Sequence, residues 1–425
     1  MESLPVEVIG NILSHLGAAR DVVVASTTCR KWRVAARHHL NTLCFNTADW
    51  PVYRELSTED LEILITQTIM QTSCLQHLSI RLGNHNEFSA APVIAWLMYT
   101  RESLRFLTYM MKTKPCVNVL ERCGKSKLER LVLGYTCIPT VDPAVQRFPS
   151  LLALTLSRVT VSSTDLNALL SACPKLVTLS LIQTCLFDTD VSMSGSETTL
   201  ELTSSSLRAF YTEELTLDTV ILEADHLDNL HLKGSVIERF ELRSSNSLRA
   251  LKIEDTTIGE MDFGEATELL EVLDVSDFEM LWPQFFQIIS RASKLRQLRL
   301  WRLKFEGSEE DVDIETIAAS FPRLNRLALG YELADGTIIQ ALQGSGSTLL
   351  QKVVFLELGS SIINDTFAEW IGGVLERCPS LRKLVIHGIL AETKAEDFHL
   401  IGKFTTSIVN LMRKFSNVDI EFNYT

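Results

Sequence analysis

Cys173 in ACPKL and Cys378 in RCPSL are the thiols in this chain whose surroundings repeat. A thiol becomes a nucleophile only beside a base or cation that lowers its pKa, and the sequence indicates no such group for either. RFPSL at 147 and SFPRL at 320 place Phe where those two phrases place Cys. The position therefore reads as an apolar plug of the core, with the following Pro stopping a helix. The nine cysteines (29, 44, 74, 116, 123, 137, 173, 185 and 378) are odd in number, loosely spaced and free of CxxC pairs, which predicts neither disulfides nor a zinc site. GSGST at 344–348 is Gly-rich but lacks the phosphate-binding lysine and reads as a turn. No GxxxxGK[ST], HExxH, GxSxG or DxDxDG pattern occurs, and the nine histidines are scattered. The expectation is a chain that catalyses nothing, with no cofactor and no metal. What remains is recognition chemistry. KLRQLRLWRLK carries Gln297, Arg299 and Trp301 at alternate positions, and LRKLVIH carries Lys383 and His387. Guanidinium and indole groups are the side chains most enriched where protein interfaces concentrate their energy.

Those residues share a face only if a strand runs beneath them, and the sequence supplies one repeatedly. L-x-x-L-x-L begins at Leu75, Leu128, Leu151, Leu176, Leu227, Leu248, Leu270, Leu295, Leu324 and Leu381. Weaker versions begin at Leu40, Leu104, Leu207, Val353 and Phe415. Neighbouring starts are mostly about 20–31 residues apart, the leucine-rich-repeat period. The closing L-x-L alternates as a strand does, leucines inward and intervening residues outward. No unit covers its own apolar face, so units must stack into a solenoid with a curved parallel sheet. Helical return segments are predicted at 91–99, 165–172, 285–292, 314–319 and 367–375. From about 194 to 268 the period tightens and helical signals fade, which predicts loops or short extended returns. The acidic stretch EGSEEDVDIE at 306–315 reads as a solvated loop.

The first forty residues follow another rule. Ile9, Ile12, Leu13 and Leu16 fall at i, i+3, i+4 and i+7, one helical face, with Pro5 and Glu7 at its start and Gly17 at its end. A second short helix is predicted around Val22–Ala25, and a third carries Cys29 and Trp32. LPxE at Leu4–Glu7, the Ile12–Leu13–Leu16 helix, a downstream Asp21 and the closing CRKWR together resemble an F-box. With the repeats and their xCPxL phrases, the chain resembles an F-box/leucine-rich-repeat protein of the plant type. Thr28 departs from that pattern, standing where a hydrophobic residue usually precedes CRxW.

The resemblance implies an α/β architecture: a three-helix F-box over 1–40, then about 14–15 irregular repeats over 41–425. It also implies a non-catalytic substrate receptor of an SCF-type ubiquitin ligase. The F-box would dock on a Skp-family adaptor, and through it on a cullin-RING ligase, while the repeats bind a protein target. Leu4, Pro5, Glu7, Ile9, Ile12, Leu13, Leu16, Val24, Cys29 and Trp32 match the motif, with Leu4, Pro5, Ile12 and Leu16 expected to lead the adaptor contact. Gln297, Arg299, Trp301, Lys383 and His387 are the expected substrate contacts. Two alternatives stay open: a small-molecule (hormone) co-receptor of the same ligase class, and an interaction scaffold outside any ligase. A formal net charge of −13 argues against a broad nucleic-acid or anionic-membrane surface. No apolar run approaches the ~20 residues of a membrane span, and the N-terminus lacks the pattern of a secretory signal. The chain is expected inside the cell, in cytoplasm and/or nucleus.

Overall fold

The alternating triplet that ends each hexamer fixes where strands lie. In the computed structural model a parallel strand starts at the third residue of fourteen of the fifteen hexamers. The structure describes residues 4–47, 55–83, 87–124, 127–144, 146–187, 198–243, 247–279, 282–302, 314–330, 350–389 and 395–424. They fall into two units, Met1–Leu215 and Thr216–Thr425. The segments 306–313 and 344–348 lie outside the described residues.

In the first unit the strands are Thr42–Asn46, His77–Arg81, Phe106–Met110, Arg130–Gly134, Ala153–Ser157, Thr178–Ile182 and Ala209–Glu213. Each pairs in parallel with the next, and the register stacks Leu43, Leu78, Leu107, Leu131, Leu154, Leu179 and Phe210 in one row. The second unit has its own such row, through Leu230, Leu251, Leu273, Leu298, Leu327, Leu356 and Leu384. None of these residues is more than 2% exposed. At roughly 1.5–3 kcal/mol for each fully buried aliphatic side chain, such rows dominate the favourable side of folding. The fifteenth strand, Asp419–Tyr424, differs from its hexamer. Ile420 pairs with Leu384 and Phe422 with Ile386, so it runs two residues later than the motif at Phe415 predicts. Phe422 rests on Phe404, ring centroids 5.5 Å apart, and this aromatic contact outweighs the weak local pattern.

The return segments divide by chemistry. The N-terminal module supplies α1 (Val6–Leu16), α2 (Ala19–Thr27) and α3 (Arg30–His39). Further helices are α4 (Thr58–Met70), α5 (Ala90–Thr100), α6 (Val119–Cys123) and α7 (Ser163–Ser171) in the first unit. The second unit contains α8 (Trp282–Ile289), α9 (Ile314–Ser320), α10 (Asp365–Glu376) and α11 (Ala395–Lys414). Between Thr216 and Asp262 the returns are strands instead. Thr216–Glu223 pairs with Val236–Arg243, which pairs in turn with residues 257–262. Val, Ile, Phe and Thr recur there, and no stretch carries the longer apolar period of a helix.

Among the described residues, a left-handed residue follows the face strand in eight repeats. Tyr135, Arg158, Gln183 and Glu214 take this conformation in the first unit, and Gly234, Asp255, Asp277 and Arg302 in the second, with φ between 46° and 57°. In the first unit their side chains link along the rim. Arg158 donates to the Tyr135 hydroxyl at 2.8 Å and also to Gln183, whose amide donates to Glu214. A left-handed L-residue costs roughly 1–2 kcal/mol, and Gly234 already occupies the equivalent place one repeat earlier. Asp255→Gly is therefore expected to stabilise the chain by about 0.5–1 kcal/mol. A urea midpoint that does not rise at constant m-value would contradict this.

Candidate functional site

Two surfaces carry the sequence-predicted contacts. The first is the module α1–α3. Its apolar α1 stripe is split by packing: Ile9 and Leu13 are fully buried, whereas Val8, Ile12 and Leu16 stay 42%, 39% and 42% exposed. Gly10 explains the split, because a Cβ there would lie 2.3 Å from the His39 Cβ. The missing side chain lets α1 press directly on α3, so the Ile9–Leu13 edge turns inward and the Ile12–Leu16 edge outward. Ser14 strengthens the contact by donating to Gly10 O at 3.0 Å and accepting from Asn41 N at 3.1 Å. On α2, Val22 is buried while Val23 and Val24 are exposed; on α3, Ala35 is buried while Val34 is exposed. Leu4 and Trp32 are half-buried, and Pro5, Glu7 and Cys29 are exposed. Six exposed aliphatic side chains on three short helices form more apolar surface than scattered singletons would.

No side chain caps the N-terminus of any of these three helices. In the repeats, by contrast, Ser57, Asn118, Ser162 and Asn364 cap α4, α6, α7 and α10. Each missing cap forgoes about 1 kcal/mol. The module is thus built with less internal support than the repeats beside it.

The second surface is the open face of the strands in the second unit. Gln297, Arg299 and Trp301 project from one strand, with Leu298 and Leu300 buried beneath. Lys383 and His387 lie three strands along, yet the structure brings the two groups together. The Trp301 indole meets the His387 ring edge-on, centroids 5.7 Å apart, and the Arg299 guanidinium lies 5.2 Å from the indole centroid. Gly330 and Gly359 occupy the intervening places on that row, leaving room for the two rings to meet. His387 Nε2 is 3.0 Å from Glu357 Oε1, and Lys383 Nζ is 2.8 Å from Glu421 Oε2.

The sequence-predicted contacts left out Arg326, Phe355 and Glu357, which lie between these groups. Asp274, Arg326, Phe355 and Glu357 join Gln297 and Arg299 around a depression of about 200 Å³ centred on Ala328. Arg326 lies 4.5 Å from the Phe355 ring centroid, and Arg299 Nη1 is 3.8 Å from Asp274 Oδ2. Burial pushes the Asp274 carboxyl above its ordinary range, and the Arg299 guanidinium opposes the shift. The available signal was position three or five of LNRLAL and VVFLEL, the second a weak hexamer.

Cys173 and Cys378 lie in the core. Burial pushes Cys173 and Cys378 up to about 12, which holds them as unreactive thiols at neutral pH. Among the described residues no group of three or more His, Cys, Asp or Glu is placed to hold a metal ion. No described helix is long and apolar enough to cross a membrane.

Comparison with known proteins assigns families to the N-terminal module and to part of the repeats. Residues 1–45 match the model of the F-box-like family, and residues 101–267 match the leucine-rich repeats of the FBD-associated F-box protein At5g56370. The F-box/LRR-repeat protein At1g67190 of Arabidopsis thaliana is 52% identical over 425 residues, covering all of both chains. The chain belongs to the F-box/leucine-rich-repeat family. F-box protein At1g10780 of the same plant is 23% identical over 318 residues, 73% of this chain and 72% of its own. In the F-box/leucine-rich-repeat family, then, α1–α3 are the F-box and the strand face belongs to the repeats. An F-box joined to repeats is the general architecture of an SCF-type substrate receptor, and F-boxes bind Skp-type adaptors. The names of the relatives give F-box and leucine-rich-repeat composition and no activity.

Proposed function

We propose that this chain is the substrate-recognition subunit of an SCF-type ubiquitin ligase. Residues 1–40 dock on a Skp-family adaptor, and the repeats over 41–425 bind a protein target for ubiquitination. The exposed aliphatic face of the three-helix module carries the reading. Ile12, Leu16, Val23 and Val24 leave apolar surface in water although Ile9, Leu13 and Val22 already fill the module's core. A partner covering that face supplies the stabilisation the uncapped helices lack. In this reading Ile9 and Leu13, buried behind the face, support it, and Leu4, Pro5, Glu7, Ile12, Leu16, Val24, Cys29 and Trp32 make the adaptor contact. Co-expression of the full chain with a plant Skp-family adaptor and a cullin, followed by size-exclusion chromatography, tests this. The three proteins are expected to co-elute, and Leu4→Ala with Pro5→Ala to weaken the complex. Separate elution of the unaltered chain would exclude the reading.

For the target, the depression at Ala328 points to a protein segment. Its volume of about 200 Å³ is below the ~300–1,000 Å³ of most small-molecule sites. Its rim balances two guanidiniums against two carboxylates, so it selects neither strong anions nor strong cations. Proximity labelling with a version lacking residues 1–40 is expected to trap targets that the complete ligase would send for degradation. Arg299→Ala with Trp301→Ala is expected to lose most of those targets, because truncating an interface anchor typically costs about 2 kcal/mol or more. An unchanged set of labelled proteins would place the contact elsewhere on the repeats.

A further inference from the structure

The F-box does not meet the first repeat flush. Between α2 and α4 runs a groove of about 390 Å³, nearly twice the volume of the depression on the strand face. Val23 and Val24 form one wall, and Ile63, Leu64 and Gln67 of α4 the other, with Ala19 at the α2 start. Val24 and Ile63 are each 56% exposed, unusual for facing aliphatic residues on two neighbouring helices. A second groove of about 390 Å³ continues along the seam past Val22, Ala36 and Met70. The seam is held open by hydrogen bonds at its end. Ser73 N and Oγ both donate to Arg37 O, at 2.9 and 3.0 Å, tying the chain after α4 to the last turn of α3. Gln76 N and His77 N both donate to Asn41 O, at 2.9 and 2.8 Å. The spacing of α4 from the module is therefore set by the backbone, and the groove exists before any partner arrives.

We infer that the adaptor footprint extends beyond the F-box: an apolar side chain of the same Skp-family adaptor enters the α2–α4 groove and packs against Ile63. This rests on the docking role proposed for the module, and continuity selects the occupant. Val23 and Val24 belong at once to the module's exposed aliphatic face and to the groove wall. An adaptor seated on Ile12, Leu16 and Val24 thus has its edge at the groove mouth. The consequence is functional, since a contact shared by F-box and first repeat fixes the angle at which the repeats leave the adaptor.

The test measures adaptor affinity of the full-length chain by titration calorimetry. Ile63→Asp and, separately, Gln67→Arg are expected to weaken adaptor binding about tenfold, with an unchanged melting temperature because both side chains are exposed. Ile63→Leu is expected to bind as the unaltered chain does. Ile12→Asp with Leu16→Asp serves as the reference for the module itself. If that reference loses binding while Ile63→Asp and Gln67→Arg do not, the footprint ends at the F-box and the inference is overturned, with the docking role intact. If the reference also binds normally, the docking role falls and the inference with it. A melting temperature lowered by Ile63→Asp in the chain alone would show that the groove is filled from within, which also overturns it.

Discussion

Ile12→Asp with Leu16→Asp is expected to leave the chain folded and to abolish capture of a Skp-family adaptor. The two positions are 39% and 42% exposed, so aspartate there costs the isolated protein little. In the complex the same carboxylates would be desolvated against an apolar partner without a counter-charge. Loss of two aliphatic contacts at about 1.5 kcal/mol or more each already exceeds a hundredfold in affinity, before that desolvation is counted. Leu13→Asp, one residue from Ile12, is expected to behave differently, since Leu13 is fully buried. It should unfold the module outright. A double variant that still captures adaptor in a pull-down at micromolar concentration would remove the exposed face from the interface.

Gly10→Ala is the second large effect, and its sign opposes helix propensity. Within an exposed helix, alanine for glycine gains about 1 kcal/mol. Here the new Cβ would stand 2.3 Å from the His39 Cβ and 2.9 Å from that residue's carbonyl carbon and oxygen. Backbone atoms cannot rotate away, so α1 must lift from α3, and such overpacking typically costs about 1–3 kcal/mol. Lifting α1 exposes Ile9 and Leu13 and misaligns Ile12 and Leu16 relative to Val24. The expected result is faster amide hydrogen exchange across α1–α3 and weaker adaptor capture, with the repeats unaffected. Exchange as slow as in the unaltered chain would show that the helices absorb the methyl group.

Much of this was legible in the sequence because the repeat imposes a local rule. Fourteen hexamers locate their strands to the residue, since inward leucines two apart tolerate no slip without exposing the whole row. The five predicted return helices correspond to α5, α7, α8, α9 and α10, and the extended returns before Glu268 are strands. Helix α4 went unread although Ser57 and Asp60 form a capping pair at its start, with Ser57 Oγ accepting from Asp60 N at 3.1 Å. It lies in the long step between Leu40 and Leu75, where no hexamer marks the register. Helix α11 was missed for the same reason, its inward Phe404 being satisfied by Phe367 and Phe422 from other elements. The sites were less legible than the fold. The α1 stripe looks like one face, and only the close approach of His39 decides which edge is core. Likewise Trp301 and His387 are eighty-six positions apart, and their meeting depends on two intervening glycines that no local pattern singles out.

The change of return segment within the second unit has a geometric consequence. Adjacent strands sit about 4.8 Å apart, whereas packed helices need about 8–10 Å. From Thr216 to Asp262 both sides of the stack are strands in matched register, so consecutive repeats lie evenly spaced front and back. From α8 onward the described returns are helices, which need roughly twice the room per repeat, while the front keeps strand spacing. The repeats there must fan, closing outward side chains such as Asp274, Arg299, Arg326 and Glu357 toward one another. The Ala328 depression falls at this transition. A choice between strand and helix made on the back of the stack thus shapes a recess on its front, with no substitution at the recess itself.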